Sequence, residues 1–157
     1  MSAYTIEPAR FPEDAETVRR LFRAYAHWLA VDLCFQDFEA ELAALPGAYA
    51  PPGGTVLLLR DAAGEALGCV ALRKRANGEC EMKRMYLDVA ARGSGQGRAL
   101  AQAIIATARA AGYRRMVLDS LDRLGSALRL YESLGFREIA PYYHNPLPGV
   151  VYRGLDL

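Results

Sequence analysis

Cysteine is scarce in this chain, and badly placed for joint work. There are three, Cys34, Cys69 and Cys80, with no CxxC pair among them. An odd, scattered set argues against a disulfide framework, and a zinc site would need closer spacing. Cys69 and Cys80 fall in apolar, strand-like runs, where a reduced core thiol is the usual role. Charge of one sign is also missing. Nineteen lysines and arginines face eighteen aspartates and glutamates, for a net charge of +1. The like-charge blocks, such as Arg73-Lys74-Arg75 and Lys83-Arg84, are short, so nucleic-acid binding by bulk charge is not expected. The 73–75 run reads as a solvated strand end. No apolar run approaches a membrane span. The opening, Met1 to Glu7, lacks the basic-then-apolar pattern of a secretory leader. Free thiols without a leader lead us to expect a cytoplasmic protein.

What is present suffices for one folded unit. The chain has 157 residues, 52% of them hydrophobic. That is the size of a single domain, 1–157, with enough apolar surface to bury a core. No internal repeat, low-complexity tract or linker interrupts it.

Periodicity and punctuation then order the elements. Tyr4 to Pro8 alternates and reads as a strand. Pro12-Glu13-Asp14 opens a helix carrying Val18, Leu21, Phe22 and Tyr25 at helical spacing, with Trp28 and Leu29 continuing the stripe. A second helix near Asp37 to Leu45 stops at Pro46-Gly47, and Ala48 to Gly54 is a loop. Three strands follow, Thr55 to Arg60, Leu67 to Arg73 and Cys80 to Leu87, joined by turns at 61–65 and at Asn77-Gly78, a strong hairpin signal. A helix is expected from about Ala99 to Ala110, a strand over Arg115 to Asp119, and a helix over Gly125 to Leu134. Gly112 and Gly135 close the two helices. Two strands should flank the loop Tyr142 to Gly149. An antiparallel meander followed by a β-loop-α-β crossover predicts a mixed α/β sheet with helices on both faces.

The densest chemical signal is Arg92-Gly93-Ser94-Gly95-Gln96-Gly97-Arg98. Glycines allow backbone conformations that other residues avoid, and they let a ligand approach the peptide plane. The helix that follows offers unpaired amides and partial positive charge. That arrangement suits a pyrophosphate, with Arg92 and Arg98 adding charge. The spacing is neither GxGxxG nor a P-loop. Alone, the run also reads as a flexible glycine turn with no ligand.

This loop resembles the Arg/Gln-x-x-Gly-x-Gly/Ala motif of the GNAT family of acyl-CoA N-acetyltransferases. The preceding Glu81-Met82-Lys83-Arg84-Met85-Tyr86-Leu87 looks like the central fourth strand of that family. Leu130-Tyr131-Glu132-Ser133-Leu134-Gly135-Phe136 resembles its Leu-Tyr-x-x-x-Gly-Phe. The order and separation of the motifs agree, and the likeness spans essentially the whole chain. It implies a GNAT-like acyl-CoA N-acyltransferase fold with a mostly antiparallel central sheet and a splayed strand pair. It implies acetyl-CoA as acyl donor, with no metal. The amides of Arg92, Gly93, Ser94, Gly95, Gln96, Gly97 and Arg98 would hold the pyrophosphate. The backbone of Met85, Tyr86 and Leu87 would meet the pantetheine arm. Tyr131 would return a proton to the leaving thiolate. Many family members carry an Asn where this chain has Leu124; Ser126 is the candidate to replace its contact.

Direct acetyl transfer needs a neutral amine, donors for the oxyanion and an acid for the thiolate, but no covalent enzyme intermediate. A period-two strand would put Glu79, Glu81, Lys83, Met85 and Leu87 on one face. Glu81 is then the candidate base, or else pairs with Lys83 or Arg73 across the sheet. Tyr131 is the acid or a core aromatic. Tyr25, Trp28, Tyr142 and Tyr143 are the acceptor-binding candidates, with His27, Gln36, His144 and Asn145 near them. The expected acceptor is the primary amine of a small molecule or an amino acid. A peptide acetyltransferase and a non-catalytic acyl-CoA sensor are the alternatives. A homodimer through the C-terminal strands is what the resemblance implies.

Overall fold

The computed structural model describes residues 3–157; Met1 and Ser2, part of the opening read for a leader, lie outside the described residues. Seven strands form one sheet: β1 (Thr5–Pro8), β2 (Thr55–Arg60), β3 (Ala66–Lys74), β4 (Glu79–Leu87), β5 (Arg115–Leu121), β6 (Arg137–Glu138) and β7 (Val150–Asp156). Their order is β1-β2-β3-β4-β5-β7-β6. Only β4 and β5 pair in parallel. The link between them is the one place where a helix must cross over, and α3 (Gln96–Ala110) does so. Among the described residues no helix is long and apolar enough to cross a membrane.

Each face of the sheet buries its own apolar cluster. On one side α1 (Ala15–Leu29) and the short α2 (Phe38–Ala43) put Val18, Leu21, Phe22, Leu29 and Leu42 against Val56, Leu58, Cys69 and Ala71. On the other, α3 and α4 (Gly125–Ser133) place Leu100, Ile104, Ile105 and Tyr131 over Leu57, Leu59, Val70, Leu72, Cys80 and Met82. The alternation of β2 and β3 between the two clusters is the period-two rule at work. Burying a leucine such as Leu58 contributes about 1.5–3 kcal/mol. Cys69 and Cys80 are fully buried free thiols, as expected of core cysteines.

The turns obey the local chemistry. Asn77 and Gly78 both adopt positive φ, and Gly112 and Gly135 do so behind the two last helices. Some details differ from expectation. Short 3-10 turns at Cys34–Gln36, Gly47–Tyr49 and Val89–Ala91 occupy segments expected to be loop, and α3 begins at Gln96, inside the glycine run. A Cβ on Gly97 would make ordinary van der Waals contact with Leu87 at 3.5 Å and with Met85 and Leu130 at 3.8 Å, so the first turn of α3 lies beside β4 and α4.

One departure in β4 reorganises the site. The register with β3 slips between Cys69↔Tyr86 and Ala71↔Lys83, and Arg84 takes φ 58°. This is a β-bulge, one extra residue on β4, and it reverses which side chains face which way. Before it, Cys80 and Met82 join the α3/α4 cluster; after it, Met85 and Leu87 do, and Tyr86 packs with the α1 side. The expected shared face of Glu79, Glu81, Lys83, Met85 and Leu87 is therefore corrected. Glu81 and Lys83 lie on the opposite face from Met85 and Leu87.

Candidate active site

Strands β4 and β5 pair only over Glu79–Glu81 and Arg115–Val117. Beyond that they part, while each runs on to Leu87 and Leu121. The opening between them is a cavity lined by Met82, Lys83, Arg84 and Met85 from one strand and Leu118, Asp119, Ser120 and Leu121 from the other. Parted parallel strands leave main-chain groups without sheet partners, and a crevice at their carboxyl ends is a ligand position. Tyr131 and Ala127 close one side; Tyr25, Trp28, Gln36, Leu124 and Asn145 complete the lining.

The glycine loop sits at the α3/α4 end. Gly93 (φ +77°) and Gly95 (φ +80°) are left-handed, and a Cβ on either would meet nothing within 4 Å. The backbone there is bare and open to approach. Gly95 caps α3, a 15-residue helix, so its first-turn amides and the positive end of the helix dipole lie at this loop. Asp88 braces the approach by accepting from the Ala90 amide at 3.0 Å. The loop thus fits a pyrophosphate. The two arginines differ. The Arg98 Nη2 donates to Ser133 Oγ at 2.7 Å, tying the loop to α4. Arg92 turns back, donating to the Leu87 carbonyl at 2.9 Å and lying 5.6 Å from the Trp28 ring and 5.8 Å from the Tyr86 ring.

Tyr131 is nearly buried, edge-on to Phe136, with its hydroxyl 3.8 Å from Met85 Sδ. Burial, with lesser help from Tyr25 and Asp119, raises its phenol far above the ordinary value. It stays protonated at any working pH, as a proton donor must. Ser126 is not brought to the cavity. It is exposed and accepts from Arg129 at 3.3 Å, while Leu124 and Ala127 face inward.

Glu81 is fully buried. Its Oε1 accepts from Arg73 Nε at 2.7 Å, with Arg75 at 3.9 Å, and its Oε2 accepts from the Tyr142 hydroxyl at 2.6 Å. Burial alone would raise its pKa, but Lys83, Arg73 and these hydrogen bonds hold the carboxyl below its ordinary value. Both oxygens are committed, and the ion pair with Arg73 across the sheet is present. Tyr142 is in turn fixed under the Arg75 guanidinium, 4.5 Å from its ring.

A polar network that composition alone does not reveal lines the α1/α2 side. Arg84 is buried and makes a two-pronged pair with Glu41, both contacts 3.0 Å, above the Phe38 ring. Its Nη1 and Lys83 Nζ both donate to Gln36 Oε1, at 2.8 and 3.1 Å. Gln36 Nε2 donates to the Tyr143 hydroxyl at 3.1 Å, and Tyr143 donates to Asp119 Oδ2. Asn145 Nδ2 also donates to that oxygen, at 2.8 Å. Tyr25 is raised to about 12, chiefly by burial and against the pull of Arg84. His27 and His144 are exposed, and Trp28 is 40% exposed at the rim. Of the sequence candidates, Tyr25, Trp28, Gln36, Met85, Tyr131 and Asn145 line the cavity, and Tyr143 reaches it through Gln36 and Asp119. Asp119 and Lys83 also line the cavity and were not among the binding candidates read from the sequence. The available signal was position: Asp119 lies near the carboxyl end of the parallel strand β5, where ligands of such sheets gather.

A mixed sheet whose parallel pair splays beside a glycine loop defines the acyl-CoA N-acyltransferase class. The acetyltransferase (GNAT) family model matches residues 15–136. An uncharacterized N-acetyltransferase of Schizosaccharomyces pombe is 43% identical over 157 residues, covering 99% of this chain and 96% of its own. An N-acetylaspartate synthetase of Danio rerio is 31% identical over 119 residues, 75% of this chain and 42% of its own. The Salmonella typhimurium protein yncA, solved with its cofactor acetyl-CoA, superposes with a TM-score of 0.73 at 23% identity, over 99% of this chain and 94% of that one. The chain belongs to the GNAT family. It is an acyltransferase, an acetyl-CoA-dependent N-acetyltransferase.

Proposed function

We propose that the protein acetylates the primary amine of a small molecule or free amino acid, by direct attack within a ternary complex. The observation that carries this is the cavity between the parted strands β4 and β5, which runs from Met85 and Tyr131 on the α3/α4 side to a polar wall of Lys83, Gln36 and Asp119 on the other. Donor and acceptor can enter from opposite faces and meet at the bulge. The acceptor wall is a narrow, side-chain-rich recess between α1, the Cys34–Gln36 turn and the C-terminal loop, which suits a small amine better than an extended peptide. Relatives named for making N-acetylaspartate support an amino acid among the candidates. The buried free thiols of Cys69 and Cys80 fit a reducing, cytoplasmic setting.

When bound, acetyl-CoA supplies a thioester carbonyl for the amine to attack, with the thiolate as leaving group. The chain's own residues do the rest. The amides from Arg92 to Arg98 hold the pyrophosphate, and the unpaired edge of β4 at Met85, Tyr86 and Leu87 orients the arm. Tyr131 gives its phenolic proton to the sulfur. Glu81 holds Tyr142 and Arg73 in place, and any proton it takes from the amine passes through a water, since its oxygens are already engaged.

The test is thermal unfolding with acetyl-CoA, then thiol release across an amine panel. A ligand at a hundred times its Kd adds about 2.7 kcal/mol, a shift of several degrees for a domain this size. A shift with amine-dependent thiol release supports the reading. A shift without release for any amine would make the chain a sensor.

A further inference from the structure

Resting on the acetyl-transfer reading above, we propose that the acceptor carries a carboxylate, that Lys83 is the residue that holds it, and that Asp119 faces the amino group. The argument starts from charge pairing on the acceptor wall. Every arginine there has a carboxylate partner: Arg84 has Glu41, and Arg73 and Arg75 have Glu81. Lys83 has none within 4.0 Å among the described residues. Its side chain lines the cavity and is 7% exposed as a residue. An ammonium has three N–H donors. One goes to Gln36 Oε1, a neutral amide oxygen that Arg84 already shares.

Burying an ammonium with a single shared neutral acceptor is unfavourable, and folded chains rarely retain such a group without use for it. Burial and the nearby Arg84 together bring its pKa down to about 8, so the surroundings disfavour the charge they enclose. A carboxylate entering the cavity would take the two free donors and neutralise a cavity-lining cation that lacks a carboxylate partner among the described residues. Asp119 supplies the complementary end. Its Oδ2 accepts from Tyr143 and Asn145, while its Oδ1 has no hydrogen-bond partner among the described residues. The Gln36–Tyr143 relay ties the two charged ends into one rigid frame. The pair reads a molecule with an anion and an amine a few atoms apart, which is the form of an amino acid.

The experiment compares matched acceptors, each amino acid with the amine that lacks its carboxylate: serine with ethanolamine, phenylalanine with 2-phenylethylamine, glutamate with 4-aminobutyrate, and aspartate with β-alanine, the last two amines keeping one carboxylate. Thiol release is measured for wild type and for Lys83→Met and Lys83→Gln. We expect acceptors with a carboxylate to lead those without one by at least about tenfold in kcat/KM, expressed mainly in KM. In both variants that lead should collapse towards one, while the midpoint shift with acetyl-CoA persists. The hydroxy acid matching the best acceptor, which has no amine, should raise the midpoint of wild type and not of Lys83→Met. Equal turnover within the serine and phenylalanine pairs by wild type, or a lead unchanged in the variants, would overturn the assignment and leave the acetyltransferase reading intact. No amine acetylated by wild type at all would remove both.

Discussion

Replacing Lys83 with methionine isolates the free energy of burying an ammonium in the acceptor wall. In the unfolded chain Lys83 titrates at its ordinary 10.5; in the fold burial and Arg84 bring it to about 8. Between those values the unfolded chain binds more protons than the native one, so this group's contribution to stability rises with pH. Below about pH 8 it works against the fold by about 3 kcal/mol, at about 1.4 kcal/mol per pH unit. From about pH 7 to about pH 9.5 about 2 kcal/mol of that is recovered. Other groups act in reverse: Cys69 and Cys80 are pushed up to about 12 by burial, so the unfolded chain releases their protons first. Wild type alone mixes these signs, but its difference from Lys83→Met removes the shared terms. Urea unfolding at the two pH values measures that difference. Lys83→Met should be the more stable protein at pH 7, and its advantage should shrink by about 2 kcal/mol at pH 9.5. An advantage that does not change with pH would refute the claim that the fold buries a charged lysine there.

Three further outcomes follow from the site. Tyr131→Phe should lower kcat by about 10²- to 10⁴-fold in steady-state assays, with little change in the acetyl-CoA midpoint shift, because only the hydroxyl proposed as proton donor is removed. Gly95→Ala places a Cβ on a left-handed residue at φ +80° in the open face of the loop. It should cost about 1–2 kcal/mol of stability and also diminish the shift that acetyl-CoA produces, both read in one thermal series. Glu41→Gln leaves the Arg84 guanidinium, its side chain 2% exposed, without its carboxylate. Urea unfolding should show a loss of about 3–5 kcal/mol, and a Glu41→Leu/Arg84→Met double variant should lose less than that single change.

Much of this architecture was legible because it is locally determined. β2 has the boundaries its apolar run predicts, and Asn77-Gly78 and Gly112 turn the chain as left-handed residues should. The glycine loop and the Leu130 to Phe136 motif were visible for the same reason, since their chemistry lies in consecutive residues. What could not be read was decided across the sheet. Nothing in Glu81-Met82-Lys83-Arg84-Met85 announces that Arg84 will take positive φ, a conformation that local preference disfavours for arginine. Pairing with β3 and the ion pair to Glu41, 43 residues away, impose it. The period-two rule then fails within the strand where it was asked to place a catalytic face. Asp119 escaped notice in the same way. Its partners Tyr143 and Asn145 come from the C-terminal loop, and only the fold brings them to β5.

The bulge at Arg84 also explains why one short segment can serve two substrates. A regular strand would give Lys83 and Met85 the same face, and donor and acceptor would compete for one side of the sheet. One inserted residue sends Lys83 to the α1/α2 side and Met85 to the α3/α4 side, with the strand's free edge between them. The twist that a bulge adds accompanies the parting of β4 from β5 after only three paired positions. The inserted residue is itself anchored, since its guanidinium is held by Glu41 and Gln36 and cannot relax the strand back into register. Gln36 is shared by that anchor and by Lys83. The element that opens the cavity and the residue assigned to read the acceptor are therefore mechanically one unit. A change at Gln36 should disturb cavity shape and acceptor preference together, whereas a change at Lys83 should alter preference and leave the cavity's shape in place.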